Sequence, residues 1–197
     1  ENLFSFRITR PKSFKFRSGE FVMIGLLDSN DKPILRAYSI CSPSWSEELE
    51  FYSIIVKDGP LTSKLKNIKI GDEIIMMPKS TGTLVLDALK PGKRLFLLSS
   101  GTGFAPFAAL IREPETYERF ESIIVTHTCR MIAELSYSQS IIQECKKDEL
   151  VREFINNKLL SYHSTTRENY IFNGRITELI LSHKLFNDLK INSISSD

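Results

Sequence analysis

The chain has 197 residues, enough for one large or two small domains. Its 42% hydrophobic and 25% charged residues are those of an ordinary globular protein, and 26 Lys+Arg against 24 Asp+Glu leave a net charge of only +2. That balance argues against wholesale attraction to nucleic acid or membrane, no apolar run reaches the length of a membrane span, and three cysteines without motif spacing point to reduced thiols in the cytoplasm.

The first half reads as strands separated by turns. Phe4, Phe6 and Ile8 alternate on one face of an opening strand. Residues 20–26 form the next, closed by a turn at 28–31. Strands follow at 34–41, 49–56 and 72–77, interrupted by a short helix over about 61–67. Many short strands with turn signals between them predict an antiparallel β-barrel. Pro91-Gly92 then marks a change of pattern. Apolar runs at 95–98, 123–125 and 159–162 alternate with helical stretches starting near Ala105, over 133–146 and over 176–181. This repetition predicts an α/β doubly wound parallel sheet. The expected domains are therefore 1–91, a barrel, and 92–197, an α/β domain. Both ends read as cut: the chain starts inside a strand pattern, and residues 191–197 are polar without a closing element. The expectation is a piece of a longer protein, incomplete in its second domain.

Arg36 and Tyr38 share one face of their strand, and Ala37 and Ser39 the other. The pair reads equally as an edge strand with a surface arginine, or as an aromatic plate for a planar ring with a guanidinium for a phosphate. Asp58-Gly59-Pro60-Leu61-Thr62-Ser63 is either an ordinary turn and N-cap or a helix start that offers free N–H groups to an anion. Gly101-Thr102-Gly103-Phe104-Ala105-Pro106 follows a buried strand and opens a helix. It departs from G-x-G-x-x-G at Pro106, but two glycines still allow close backbone approach, and nucleotide binding is the preferred reading. Arg130 and Arg167 follow strand ends, with Thr128 and Thr166 beside them, and Arg175 starts a helix. Such a cluster suits a 2′-phosphate better than two hydroxyls. His127, His163 and His183 lack metal-ligand spacing and read as structural. Cys129 reads as a packing residue.

Together these residues resemble the bacterial-type ferredoxin (flavodoxin)–NADP reductases, within the plant-type ferredoxin–NADP reductase family. The resemblance is strongest in Arg36–Ile40, Leu49–Ile54, Asp58–Ser63, Thr81–Asp87, Gly101-Thr102-Gly103 and His127-Thr128-Cys129-Arg130. It implies that the barrel binds FAD, the α/β domain binds NADP(H), and ferredoxin or flavodoxin is the protein partner of a monomeric enzyme. By resemblance, Tyr38 stacks on the flavin and Ser39 lies near its reacting nitrogen, the two being the expected catalytic pair. Arg36 meets the diphosphate on the same strand as Ala37. Tyr52, Ser53, Ile54, Ile55 and Val56 flank the flavin. Leu61, Thr62 and Ser63 hold the diphosphate, and Thr102 lies where flavin and nicotinamide meet. For NADP the implied set is Gly101, Thr102, Gly103, Thr128, Arg130, Thr166, Arg167 and Arg175. Ile55 departs from the polar or basic residue that relatives often carry. The alternatives are the reductase component of an oxygenase, which would usually bring four clustered cysteines, or a catalytically impaired nucleotide-binding fragment.

Overall fold

Alternation of side chains along the early strands buries one face of each against a shared apolar centre. The computed structural model describes residues 2–90 and 92–194. They divide into two units: Glu1–Lys90 with Ala105–Thr116, and Pro91–Phe104 with Tyr117–Asp197.

In the first unit β1 (Leu3–Thr9) pairs antiparallel with β4 (Glu48–Ile54), setting Phe6 opposite Phe51. β2 (Phe21–Leu27) lies between β3 (Pro33–Ser39) and the two-residue β5 (Ile75–Met76), again antiparallel. An Ile40–Phe51 bridge joins the two ladders. The antiparallel strands stand as expected, although among the described residues no ladder links β1 to β5 and closes the ring. Val22, Ile24, Ile40, Leu49 and Phe51 form the core with Phe14 and Phe16. Gly25 is needed where β2 meets β3, because a Cβ there would sit 1.8 Å from the Ile34 carbonyl oxygen. The helix of this region, α1 (Thr62–Leu65), is shorter than expected. β5 is shorter as well. Asp72 accepts the Lys69 amide at 2.8 Å and spends the start of the expected strand on a turn, with Gly71 at φ +99°.

The other face of β4 carries a buried charge. Glu50 receives a hydrogen bond from Arg112 at 2.9 Å, both side chains being about a tenth exposed or less. Arg7 approaches the other carboxylate oxygen from the surface at 4.0 Å.

In the second unit β6 (Gly92–Ser100), β7 (Phe120–Cys129) and β8 (Leu159–Thr165) form a parallel sheet in that order. In chain order α2 (Ala105–Leu110), which counts with the first unit, and α3 (Pro114–Arg119) fall between β6 and β7. Between β7 and β8 run α4 (Ser136–Cys145) and α5 (Arg152–Lys158). After β8 come α6 (Ile176–Leu181) and α7 (Lys184–Leu189). One sheet face, through Phe96 and Tyr162, packs on Leu179, Leu185 and Phe186 of α6 and α7. The other turns His127 toward Ser138 of α4. Helices therefore cover both faces, as the alternating pattern predicts. The helix expected over 133–146 begins later. A 3₁₀ turn over Ile132–Leu135 precedes α4, because the Glu134 carboxylate reaches back to the Arg130 and Met131 amides. α3, α5 and α7 were not anticipated; each is six or seven residues long.

Replacing Arg112 with Met should strand the Glu50 carboxylate in an apolar setting and cost roughly 3–5 kcal/mol. Adding Glu50→Gln should recover much of that loss. Urea unfolding of the two variants tests this, and an unchanged midpoint for Arg112→Met would refute the pairing.

Candidate functional site

Two groups of side chains carry the chemistry, one in each unit. In the first, antiparallel register sets Tyr38 opposite Val22 and Arg36 opposite Ile24, so both lie on the core-facing side of β3. Tyr38 is half-buried. Its ring meets Phe6 and Phe51 nearly edge-on, at 73° and 83°, and its hydroxyl lies 3.1 Å from the Ser53 hydroxyl. The ring is thus a plate held from the side, with its tip tied down. It also packs against the core, so it is not free of structural duty. Arg36 is exposed. Its guanidinium donates to the Leu35 carbonyl at 2.7 Å and meets no carboxylate among the described residues. Ala37 is exposed and Ser39 half-buried. Tyr52 and Ser53 are buried in β4, Ile54 and Val56 are 39% and 51% exposed, and Ile55 is half-buried.

The turn before α1 is shaped by one hydroxyl. Thr62 Oγ1 accepts the Val56 amide at 3.0 Å, and Gly59 donates to the Val56 carbonyl at 3.0 Å. A Cβ on Gly59 would meet that hydroxyl at 2.6 Å. Leu61 is buried and Ser63 donates back to the Gly59 carbonyl. No side chain caps the helix start.

In the second unit Gly101–Phe104 is a 3₁₀ turn at the carboxyl end of β6. Gly101 takes φ +50° with open space where a Cβ would stand. Its carbonyl oxygen lies 2.9 Å from His127 Nε2, and His127 Nδ1 lies 2.7 Å from the Ser138 hydroxyl. A carbonyl only accepts, so Nε2 carries the proton and Ser138 donates to Nδ1. Burial holds the imidazole neutral, its pKa falling from 6.5 to about 4, and His163 is lowered to about 4 by burial as well. Phe104 lies against the His127 ring at 5.0 Å between centroids. Thr102 is half-buried and Gly103 exposed. Cys129 sits 3.2 Å from His127 Nε2. Burial pushes its thiol up to about 12, which leaves it protonated and inert at neutral pH.

At the carboxyl edge the β7–β8 pairing continues past the strands. Thr166 donates to the Cys129 carbonyl and Arg167 to the Arg130 carbonyl, both at 3.0 Å. Gly174 donates to the Thr165 carbonyl at 2.9 Å, which brings Arg175 to the same edge. Arg130, Arg167 and Arg175 are exposed, and none meets a carboxylate among the described residues. The nearby acids are bound elsewhere. Glu134 accepts the Arg130 and Met131 amides at 2.9 and 3.0 Å, and Glu168 accepts the Ile132 amide. Thr166 is exposed. Thr128, by contrast, is buried and bonded to Ser164 at 2.8 Å. No cluster of metal-ligating side chains occurs among the described residues, and no helix there is long and apolar enough to cross a membrane.

Residues 1–95 match the model of the oxidoreductase FAD-binding domain family. The flavodoxin/ferredoxin–NADP reductase of Rhodobacter capsulatus is 59% identical over 191 residues, 97% of this chain and 71% of that protein. The ferredoxin–NADP reductase of Azotobacter vinelandii is 48% identical over 195 residues, 99% of this chain and 75% of that protein. The chain belongs to the ferredoxin/flavodoxin–NADP reductase family. A crystal structure of the Neisseria gonorrhoeae ferredoxin NADP+ reductase with bound FAD and NADP superposes with a TM-score of 0.86 at 26% identity, covering 98% of this chain and 75% of that one.

For a ferredoxin/flavodoxin–NADP reductase, the residues that sequence reasoning overlooked are those that hold backbone. His127 reads as a structural histidine, yet it fixes the carbonyl of Gly101. One signal was available: along β7 it shares a face with Ile123 and Val125, which points it inward. Glu134 and Glu168 carried no signal, because their partners are amides set by the loop conformation.

The two lowered histidines give a pH dependence. Above about pH 6.5 both are neutral folded or unfolded, and stability is complete. As pH falls toward 4 the unfolded chain takes up protons that the folded one refuses, and stability is lost. The loss at about pH 5 should be on the order of 2 kcal/mol for His127. Urea unfolding from about pH 7 to about pH 5 measures it, and His163→Gln should flatten the slope. A stability constant over that interval would show that the imidazoles are not buried neutral.

Proposed function

We propose that this chain supplies the flavin- and nicotinamide-binding machinery of an FAD-dependent enzyme that moves electrons between NADP(H) and ferredoxin or flavodoxin. The observation that carries the reading is the set of three arginines at one sheet edge. Their guanidiniums have no acidic partner among the described residues, and the local acids are consumed by backbone amides. That arrangement fits a dianionic phosphate, which guanidinium recognises through paired N–H donors. Residues 1–91 are assigned to FAD and 92–197 to NADP(H).

FAD also fits the residues present. Arg36 has no acidic partner among the described residues, and Tyr38 offers a ring clamped by its neighbours. When bound, FAD supplies hydride exchange with the nicotinamide and single-electron exchange with the protein partner. The protein's share is placement. Tyr38 sets the plane of the ring system, with Phe6, Phe51 and the Ser53 hydroxyl fixing its own attitude. Ser39 offers a neutral hydroxyl as hydrogen-bond partner and does not store a proton at neutral pH. Arg36 answers one phosphate charge, with Leu61, Thr62 and Ser63 alongside. Ile54, Ile55 and Val56 present apolar surface on the flank, while Tyr52 is buried in β4. Gly101, Thr102 and Gly103 let nucleotide approach the backbone, and His127 keeps that turn in shape. Arg130, Arg167, Arg175 and Thr166 hold the 2′-phosphate. Thr128 contributes through the sheet rather than by contact, since its hydroxyl is given to Ser164. The partner is a small one-electron carrier, ferredoxin or flavodoxin, and the working form is a cytoplasmic monomer.

Arg130→Ala should raise the KM for NADPH about tenfold or more, the worth of one charge-assisted contact, and leave NADH turnover unchanged. Steady-state kinetics with both nucleotides decide it. Equal losses would sink the 2′-phosphate assignment.

Tyr38→Ser should weaken FAD binding and also lower stability, because the ring supports Phe6 and Phe51. Stacking contributes on the order of 1 kcal/mol beyond area burial, so Tyr38→Phe should keep most of the affinity. Fluorescence titration with FAD, alongside a thermal melt, separates the two effects. A folded Tyr38→Ser protein with wild-type FAD affinity would show the ring to be structural only.

A further inference from the structure

Three arginines that must meet one small anion come from two connections, Arg130 from the one after β7 and Arg167 and Arg175 from the one between β8 and α6, and a single residue touches the framework of both. Arg130 follows β7. Its loop runs through Met131 to Ile132, whose amide donates to the Glu168 carboxylate. Arg167 is the chain neighbour of Glu168. Arg175 arrives after Asn173 and Gly174, and Asn173 donates from its side-chain amide to the Glu168 carbonyl at 2.6 Å. The Thr165 hydroxyl donates to that same carbonyl at 2.6 Å. The Asn173 side-chain oxygen in turn accepts the Tyr170 amide at 3.2 Å, closing the loop on itself.

Glu168 is thus anchored by its own backbone to Thr165 and Asn173, and reaches across with its side chain to the Arg130 loop. An acid among three arginines would ordinarily pair with one of them and oppose an incoming anion. Here the carboxylate is directed to an amide instead. We propose that Glu168 is the positioning residue of the 2′-phosphate site: it fixes the Arg130 loop against the β8–α6 connection that carries Arg167 and Arg175, and thereby sets the preference for a 2′-phosphorylated nucleotide. It acts through the loops and does not touch the nucleotide. The inference rests on the reading of the three arginines as a phosphate site. Preorganised donors gain affinity because their ordering cost is met before the ligand arrives.

The test is calorimetric titration of the protein and its variants with 2′-phospho-AMP and, separately, with AMP. Glu168→Ala should lose on the order of tenfold in affinity for 2′-phospho-AMP, the scale of one hydrogen bond to a charged group, with AMP unchanged. Glu168→Gln keeps an acceptor oxygen for the Ile132 amide and removes a negative charge, so it should bind 2′-phospho-AMP as well as wild type or better. The inference is overturned if Glu168→Ala binds 2′-phospho-AMP as well as wild type, if both ligands weaken together, or if Glu168→Gln is as weak as Glu168→Ala. Arg130→Ala serves as the separate control. If it leaves 2′-phospho-AMP binding intact, the phosphate reading itself fails. If it abolishes the preference while Glu168→Ala does not, only the role of Glu168 fails.

Discussion

The register of the three parallel strands is the constraint on which the nucleotide side of this protein depends. Pairing Leu97 with Val125 and Val125 with Ser161 decides which side chains share a face and where each strand ends. A slip of one residue would turn His127 away from Gly101. The same register, carried beyond the strands by the Thr166 and Arg167 amides, delivers Arg130 and Arg167 side by side. Position at the carboxyl edge is thus a product of backbone pairing, and the arginines themselves need no mutual attraction to gather there.

Acidic residues in this chain repeatedly serve the backbone. Glu134 holds two consecutive amides and Glu168 a third. In the first unit Glu113 accepts the Ser44 amide at 2.9 Å together with the Ser18 hydroxyl. A carboxylate bound in this way spends its charge on fixed local dipoles. At the sheet edge this leaves three guanidiniums without a carboxylate partner among the described residues, in a protein whose net charge is only +2.

Much of the architecture was legible because periodicity reports burial directly. The run at Ile123–Val125 is continuous because both faces of β7 are covered, whereas in Leu95–Leu98 it is Leu95 and Leu97 that are buried and Leu98 is exposed. The arginines were legible for a related reason: Arg130 and Arg167 fall past strand ends and Arg175 opens a helix. The short elements were not. α3, α5 and α7 span fewer than two full turns of pattern, too little for a 3.6-residue period to stand out. β5 was overread because Asp72 and Glu73 precede apolar residues that look like the continuation of a strand, while Asp72 closes a turn. Glu134, Glu168 and His127 were illegible in a deeper sense. Their partners are main-chain atoms, which every residue possesses, so composition carries no mark of them.

The buried pair of Glu50 with Arg112 has a consequence for how the protein is made. The two residues lie 62 positions apart, and the whole of β6 is synthesised between them. On the ribosome β4 emerges long before the guanidinium that neutralises its carboxylate. Until Arg112 appears, Glu50 must remain hydrated, and the first unit cannot close over it. Domains usually finish in the order in which they are translated. Here the order is interleaved: the first strand of the parallel sheet already exists as nascent chain when the earlier unit receives the partner of its buried carboxylate.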